Sequence, residues 1–228
     1  MKKIKAVCLV LLACAVLLSI VIIGNREWDS RIPRSLRELQ ERNPETKEFV
    51  RGYSNHVQSP VDLSGYDREN IPLFLQWDPQ WGYENYGSDM MAITGCGPTA
   101  LAMVGFYLTG DPAFSPDQVA HFAEQNGYYR WGHGSSWTLI SEGGEKLGLS
   151  VEEIPLWEPT ILEILQNHHP IICAVGPGDF TSDGHYIVLT GEENGKISVN
   201  DPNSKKNSQK LWTYENLAPQ IQNLWVLS

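Results

Sequence analysis

The chain has 228 residues, 42% hydrophobic and 19% charged, with 8 Trp and 9 Tyr. That is an ordinary globular composition, long enough for one sizeable domain with an extension. Its formal net charge is −10; Lys2, Lys3 and Lys5 hold three of the 17 basic side chains, which leaves 14 against 27 acidic ones downstream. A surface of that sign repels phosphate backbones, which excludes nucleic acid and leaves neutral or cationic partners.

Residues 6–24, AVCLVLLACAVLLSIVIIG, carry no charge. A helix over them spans roughly 28 Å, close to a hydrocarbon core, and the preceding lysines favour a cytoplasmic N-terminus. The stretch predicts an uncleaved transmembrane anchor with the rest of the chain outside. A cleaved signal peptide, and so a secreted protein, is the alternative; the run is longer than usual for one and SIVIIGN is a poor cleavage site. LLAC around Cys14 is an imperfect lipoprotein box followed by further apolar residues.

Residues 25–70 are polar and form a separate extension. PRSLRELQERNPETKEFVRGY predicts two short helices broken at Asn43-Pro44, with Leu36, Leu39, Phe49 and Val50 as a modest apolar stripe. Either this segment packs on the domain or it is a partly disordered linker. The compact domain is placed at 71–228. It opens on the aromatic, turn-rich IPLFLQWDPQWGYENYG. A helix from Cys96 to the cap Gly110 follows, apolar all round and therefore buried. Three more helices are expected: one from Pro116 with Ser115 as N-cap, one in SSWTLISEGGEKLG, and one in EPTILEILQNHH. The runs IICAVG, HYIVLTG, KISVN and NLWVLS then read as strands. Helices first and strands afterwards imply an α+β domain.

Cysteine usage narrows the chemistry. Cys8 and Cys14 fall in the apolar segment, so only Cys96 and Cys173 belong to the domain. No disulfide framework is available; a single Cys96–Cys173 bridge is the one alternative. Cys173 sits in a strand-like run, where cysteine is a small hydrophobe. Cys96 stands between Gly95 and Gly97 at a helix start, where a thiolate is stabilised by free N–H groups. Those glycines would let the backbone turn sharply and let a substrate approach.

GHYIVLTGEENGKISVNDP reads as a β-hairpin turning near Asn194-Gly195. Whether the loop has four residues or two, His185 and Asp201 come to the same end. An imidazole beside a carboxylate is the arrangement that fixes a ring's tautomer for base catalysis. His133, in a glycine-rich loop, is a weaker cleft candidate. No Cys-x-x-Cys, His-Glu-x-x-His, acidic calcium loop or Gly-Lys-Ser/Thr loop is present, so neither metal, nucleotide nor any other cofactor is expected.

LQWDPQWGYENYG, TGCGPTALAMV, GHYIVLTG and VNDPNS, in this order, resemble the bacteriocin-processing peptidase-like group, family thirty-nine of the cysteine peptidases, over roughly residues 70–228. The resemblance implies a papain-like fold with helices packed on a C-terminal antiparallel sheet, here behind the transmembrane helix. It also implies Cys96 as nucleophile, His185 as base, Asp201 as orienting acid and Gln76 as an oxyanion donor. Two departures accompany it. The glutamine of transporter-linked members lies a few residues before the cysteine, whereas Gln76 lies twenty before it. The sequence also contains no ATP-binding cassette, so leader-peptide cleavage during export is not carried over.

The expected function is a membrane-anchored, outward-facing thiol hydrolase acting on peptide or other amide bonds, with Trp77, Trp81, Trp131 and Trp137 as candidate cleft walls. The alternatives are a non-catalytic peptide or cell-wall binding module on the same fold, and an acyl or amide transferase using the same dyad.

Overall fold

The computed structural model describes residues 31–228, so the predicted anchor at 6–24 lies outside the described residues. Among the described residues no helix is long and apolar enough to cross a membrane. In chain order the helices are α1 (Arg34–Arg42), α2 (Lys47–Gly52), α3 (Met91–Thr94), α4 (Cys96–Thr109), α5 (Pro116–Gln125), α6 (Ser141–Lys146), α7 (Glu158–Gln166), α8 (Lys205–Ser208) and α9 (Tyr214–Leu217). Two small ribbons, β1 (Asn85–Tyr86) with β2 (Asp89–Met90) and β3 (Tyr129–Arg130) with β4 (Gly134–Ser135), stand among them.

The main sheet comprises β5 (Val151–Glu153), β6 (Ile171–Val175), β7 (His185–Glu193), β8 (Lys196–Asn200), β9 (Leu211–Trp212) and β10 (Ile221–Leu227). Its order is β5-β10-β6-β7-β8-β9, antiparallel throughout. Alternation along the strands serves two cores. Ile172, Ala174, Tyr186, Val188 and Trp225 pack with α4 and α5 on one side, while Ile171, Cys173, Val175, Ile187 and Leu189 pack with Ile161 and Leu165 of α7 on the other. Burial on both faces is why these strands read as unbroken apolar runs. Helix α4 is buried from Gly97 to Phe106 and ends at Gly110, whose φ of 71° is the left-handed cap a glycine takes without strain.

Some expectations change in detail. SSWTLISEGGEKLG is not one helix but a 3₁₀ turn, Trp137–Leu139, followed by α6. The hairpin turn is the two-residue type, with Glu193 facing Lys196 and positive φ at Asn194 and Gly195. A β-bulge between Leu189 and Gly191 then moves the register by one, bringing Val188 opposite Asn200.

The extension is not a disordered linker over its described part. Ile32, Leu36, Leu39, Phe49 and Val50 form a third core with Leu75, Trp77 and Ala92. Asn43 caps the 3₁₀ turn Pro44–Thr46 that joins α1 to α2.

Candidate active site

Cys96 opens α4 directly behind α3, with only Gly95 between them. Neither flanking glycine has a positive φ. Their role is therefore not the sharp turn expected from the sequence but close packing. A Cβ on Gly95 would sit 2.5 Å from the Met91 carbonyl oxygen, and one on Gly97 2.5 Å from Ser135 Oγ. Cys96 is half-buried and free, as is the fully buried Cys173, so the alternative bridge between them is absent. Burial pushes the Cys173 thiol well above its ordinary range, as befits a packing residue.

His185 begins β7 opposite Val175 and is 8% exposed; Asp201, just past β8, is 1% exposed. Imidazole Nε2 lies 2.8 Å from Asp201 Oδ1. The carboxylate is further held by the Asn203 N–H on Oδ1 (2.8 Å) and by Asn207 Nδ2 on Oδ2 (2.9 Å). Burial by itself would lower the ring's affinity for a proton. The Asp201 carboxylate and the nearby Cys96 side chain outweigh it and raise the pKa from 6.5 to about 10. The imidazole therefore favours its charged form between a carboxylate and a sulfur.

Gln76 completes the group despite its distance in sequence, because the intervening chain folds back through β1, β2 and α3. Its N–H donates to the Pro202 carbonyl (2.8 Å), and its buried side chain donates from Nε2 to the Ala92 carbonyl (2.9 Å). A primary amide carries two N–H donors, so one remains. Gln76 Oε1 is buried without a hydrogen-bond partner. Gln76, Cys96 and His185 line one cleft of about 520 Å³. Leu39, Arg42 and Asn43 of the extension and the loop 178–184 also line it.

None of the four candidate tryptophans lines this cleft. Trp81 and Trp77 are buried with their N–H groups on the Leu75 and Asn203 carbonyls (2.7 and 3.0 Å), whereas Trp131 and Trp137 are exposed. His133 does not reach the cleft either. Three groups went unread in the sequence. Ser135 packs on Gly97 and shares a 2.7 Å hydrogen bond with the Tyr86 hydroxyl, and the Tyr186 hydroxyl donates to the Ser135 carbonyl (3.3 Å). Burial raises both tyrosine pKa values, with nearby Cys96 adding to each. Among the described residues no cluster of His, Cys, Asp or Glu is arranged to hold a metal ion.

A helix-start cysteine and a strand-borne histidine line one cleft of this α+β scaffold, and the family match makes the chain a cysteine peptidase-like hydrolase with a papain-like fold. The chain belongs to the Peptidase_C39 like family, whose model matches residues 68–227. Among solved structures, it is similar to the peptidase domain of Streptococcus ComA, a bifunctional ABC transporter of a quorum-sensing pathway. The identity is 23% and the TM-score 0.45, over 59% of this chain and 91% of that one. It is also similar to a double-glycine-motif protease from an AMS/PCAT transporter, solved with its leader peptide (18%, TM-score 0.41, 69% and 92% covered). A third similar structure is a C39-like peptidase from Bacillus anthracis (13%, TM-score 0.42, 75% and 98% covered). No curated protein matches the chain.

Proposed function

We propose that the domain hydrolyses peptide or other amide bonds, with Cys96 as nucleophile, His185 as base and acid, and Asp201 as the group that holds the imidazole. The observation that carries this reading is the buried Asp201–His185 pair at 2.8 Å in the cleft that Cys96 also lines. Because Nε2 faces the carboxylate, Nδ1 is left for the thiol. The Cys96 proton already rests on Nδ1 in a thiolate–imidazolium pair, and the thiolate attacks the scissile carbonyl carbon. The Cys96 N–H and the free Gln76 N–H receive the developing oxyanion, each contributing roughly 3–4 kcal/mol. His185 then protonates the leaving amine as the C–N bond breaks. Water, deprotonated by the now neutral ring, attacks the acyl carbon, releases the acid and restores the thiolate–imidazolium pair.

Peptide is the substrate class this reading favours, because the chain belongs to a peptidase-like family. The apolar stretch 6–24 behind three lysines supports anchoring of the chain with this domain outside the cell. Membrane fractionation, and digestion of intact cells by an added protease, test that placement; release of the protein into the medium would show the secreted form instead. For the chemistry, a peptide library is digested with wild type, Cys96→Ala and His185→Ala. Cleavage by wild type alone supports the proposal. Binding without cleavage by all three would make the domain a ligand-holding module, and adducts formed only with an added amine would make it a transferase.

A further inference from the structure

The residues that hold Asp201 in place are themselves held by a segment outside the family-matched 68–227. Asp201 is followed by α8, which has only four residues and no stability of its own. Its Ser204 accepts from the Asn207 N–H (3.1 Å) as N-cap, but the N–H groups of Lys205 and Lys206 still need acceptors. They find them on Glu45 of the extension. The carboxylate takes the Lys205 N–H on Oε2 (3.0 Å) and the Lys206 N–H (3.4 Å) and Ser204 hydroxyl (2.6 Å) on Oε1. A negative charge at a helix start also suits the helix dipole. Beside it Asn43 Nδ2 donates to the Asn203 carbonyl (2.6 Å), which Trp77 also engages. The far end of α8 reaches Asp201. Asn207 binds its Oδ2, and Ser208 Oγ accepts its N–H (2.9 Å) while donating to the Ser204 carbonyl (2.8 Å).

We propose that the extension is a working part of the active centre and that Glu45 is a positioning residue, capping α8 from outside so that Asn203, Asn207 and Ser208 present Asp201 to His185. This rests on the reading of Cys96, His185 and Asp201 given above. Without the Glu45 carboxylate, α8 loses three acceptor contacts at once and the cradle around Asp201 loosens. The Asp201–His185 bond, made between side chains on separate elements, lengthens with it.

The test uses Glu45→Ala in the full chain, with Glu48→Ala as control; Glu48 is exposed on the same segment and pairs with Arg51 (2.9 Å). Two quantities are read: kcat and KM on a cleaved peptide, and the titration midpoint of the His185 ring by NMR. Expected for Glu45→Ala are a fall in kcat of about tenfold to a hundredfold with KM within about twofold, and a His185 midpoint lower by at least about one pH unit. A midpoint equal to that of Glu48→Ala would overturn the proposal. The NMR readout does not depend on turnover. If no peptide is cleaved even by wild type, the hydrolase reading fails by itself and the midpoint still decides the role of Glu45. Should Glu45→Ala not fold, Glu45→Gln, which keeps one acceptor but no charge, is measured against the same control.

Discussion

Replacing Gly97 with alanine sets two opposed effects against each other at the site. In a helix, alanine is favoured over glycine by roughly 0.8–1.0 kcal/mol, so an unobstructed position would gain stability. Here the new Cβ would meet Ser135 Oγ at 2.5 Å and Ser135 Cβ at 2.6 Å. Ordinary contact requires nearly 1 Å more. Ser135 has little room to retreat, because it is buried, its hydroxyl is bonded to Tyr86 and its carbonyl to Tyr186. Overpacking of this kind costs about 1–3 kcal/mol, so it cancels or exceeds the helix gain. The alternative relief is a shift of the first turn of α4, which carries Cys96. A displacement of about 1 Å at a reacting atom lowers rates by roughly a hundredfold. Gly97→Ala should therefore lose about 2 kcal/mol or less by denaturant unfolding yet lose about a hundredfold in kcat/KM. A variant with raised Tm and wild-type activity would refute the packing argument.

Three further outcomes follow from the same geometry. Asp201→Asn removes the charge that raises His185 against the opposing effect of burial, so the ring should titrate well below the wild-type value of about 10. In wild type the pair's contribution is then complete below pH ~6.5 and lost as pH rises through about 10, so the stability gap between the two proteins should narrow over that range in urea unfolding; a gap independent of pH would contradict it. Gln76→Ala should lower kcat by about 10²–10³-fold with a smaller change in KM, and an unchanged kcat would remove Gln76 from the oxyanion site. Cys173→Ala trims a fully buried side chain away from the cleft, so it should lower Tm slightly and leave kcat alone; loss of activity at equal stability would give that thiol a role the geometry denies it.

What was legible in the sequence was mostly local. The Asn194-Gly195 turn ties His185 to Asp201 along one hairpin, and the pair meets whichever register the loop takes. The Cys96 helix and its Gly110 cap follow from apolar content and glycine placement. What was not legible depended on non-local neighbours. No pattern in Ile221–Leu227 says that this last strand enters between β5 and β6. Nothing around Gly97 announces that Ser135 fills the space of a side chain. Trp77 and Trp81 resemble cleft residues until their N–H partners are known. In the extension, Leu36, Leu39, Phe49 and Val50 marked an apolar face, but the polar Glu45 that reaches α8 carried no periodic signal. The same holds for Gln76, whose twenty-residue separation from Cys96 closes only because the loop between them doubles back.

The most direct test of the whole account is rapid-quench mass spectrometry of the intact protein during turnover of a peptide ester or amide. An acyl adduct should appear on Cys96, map to the peptide containing residues 94–110, decay at the rate of product release and vanish in Cys96→Ala. Product formation that persists in Cys96→Ala, or an adduct on any other residue that turns over at that rate, would contradict it.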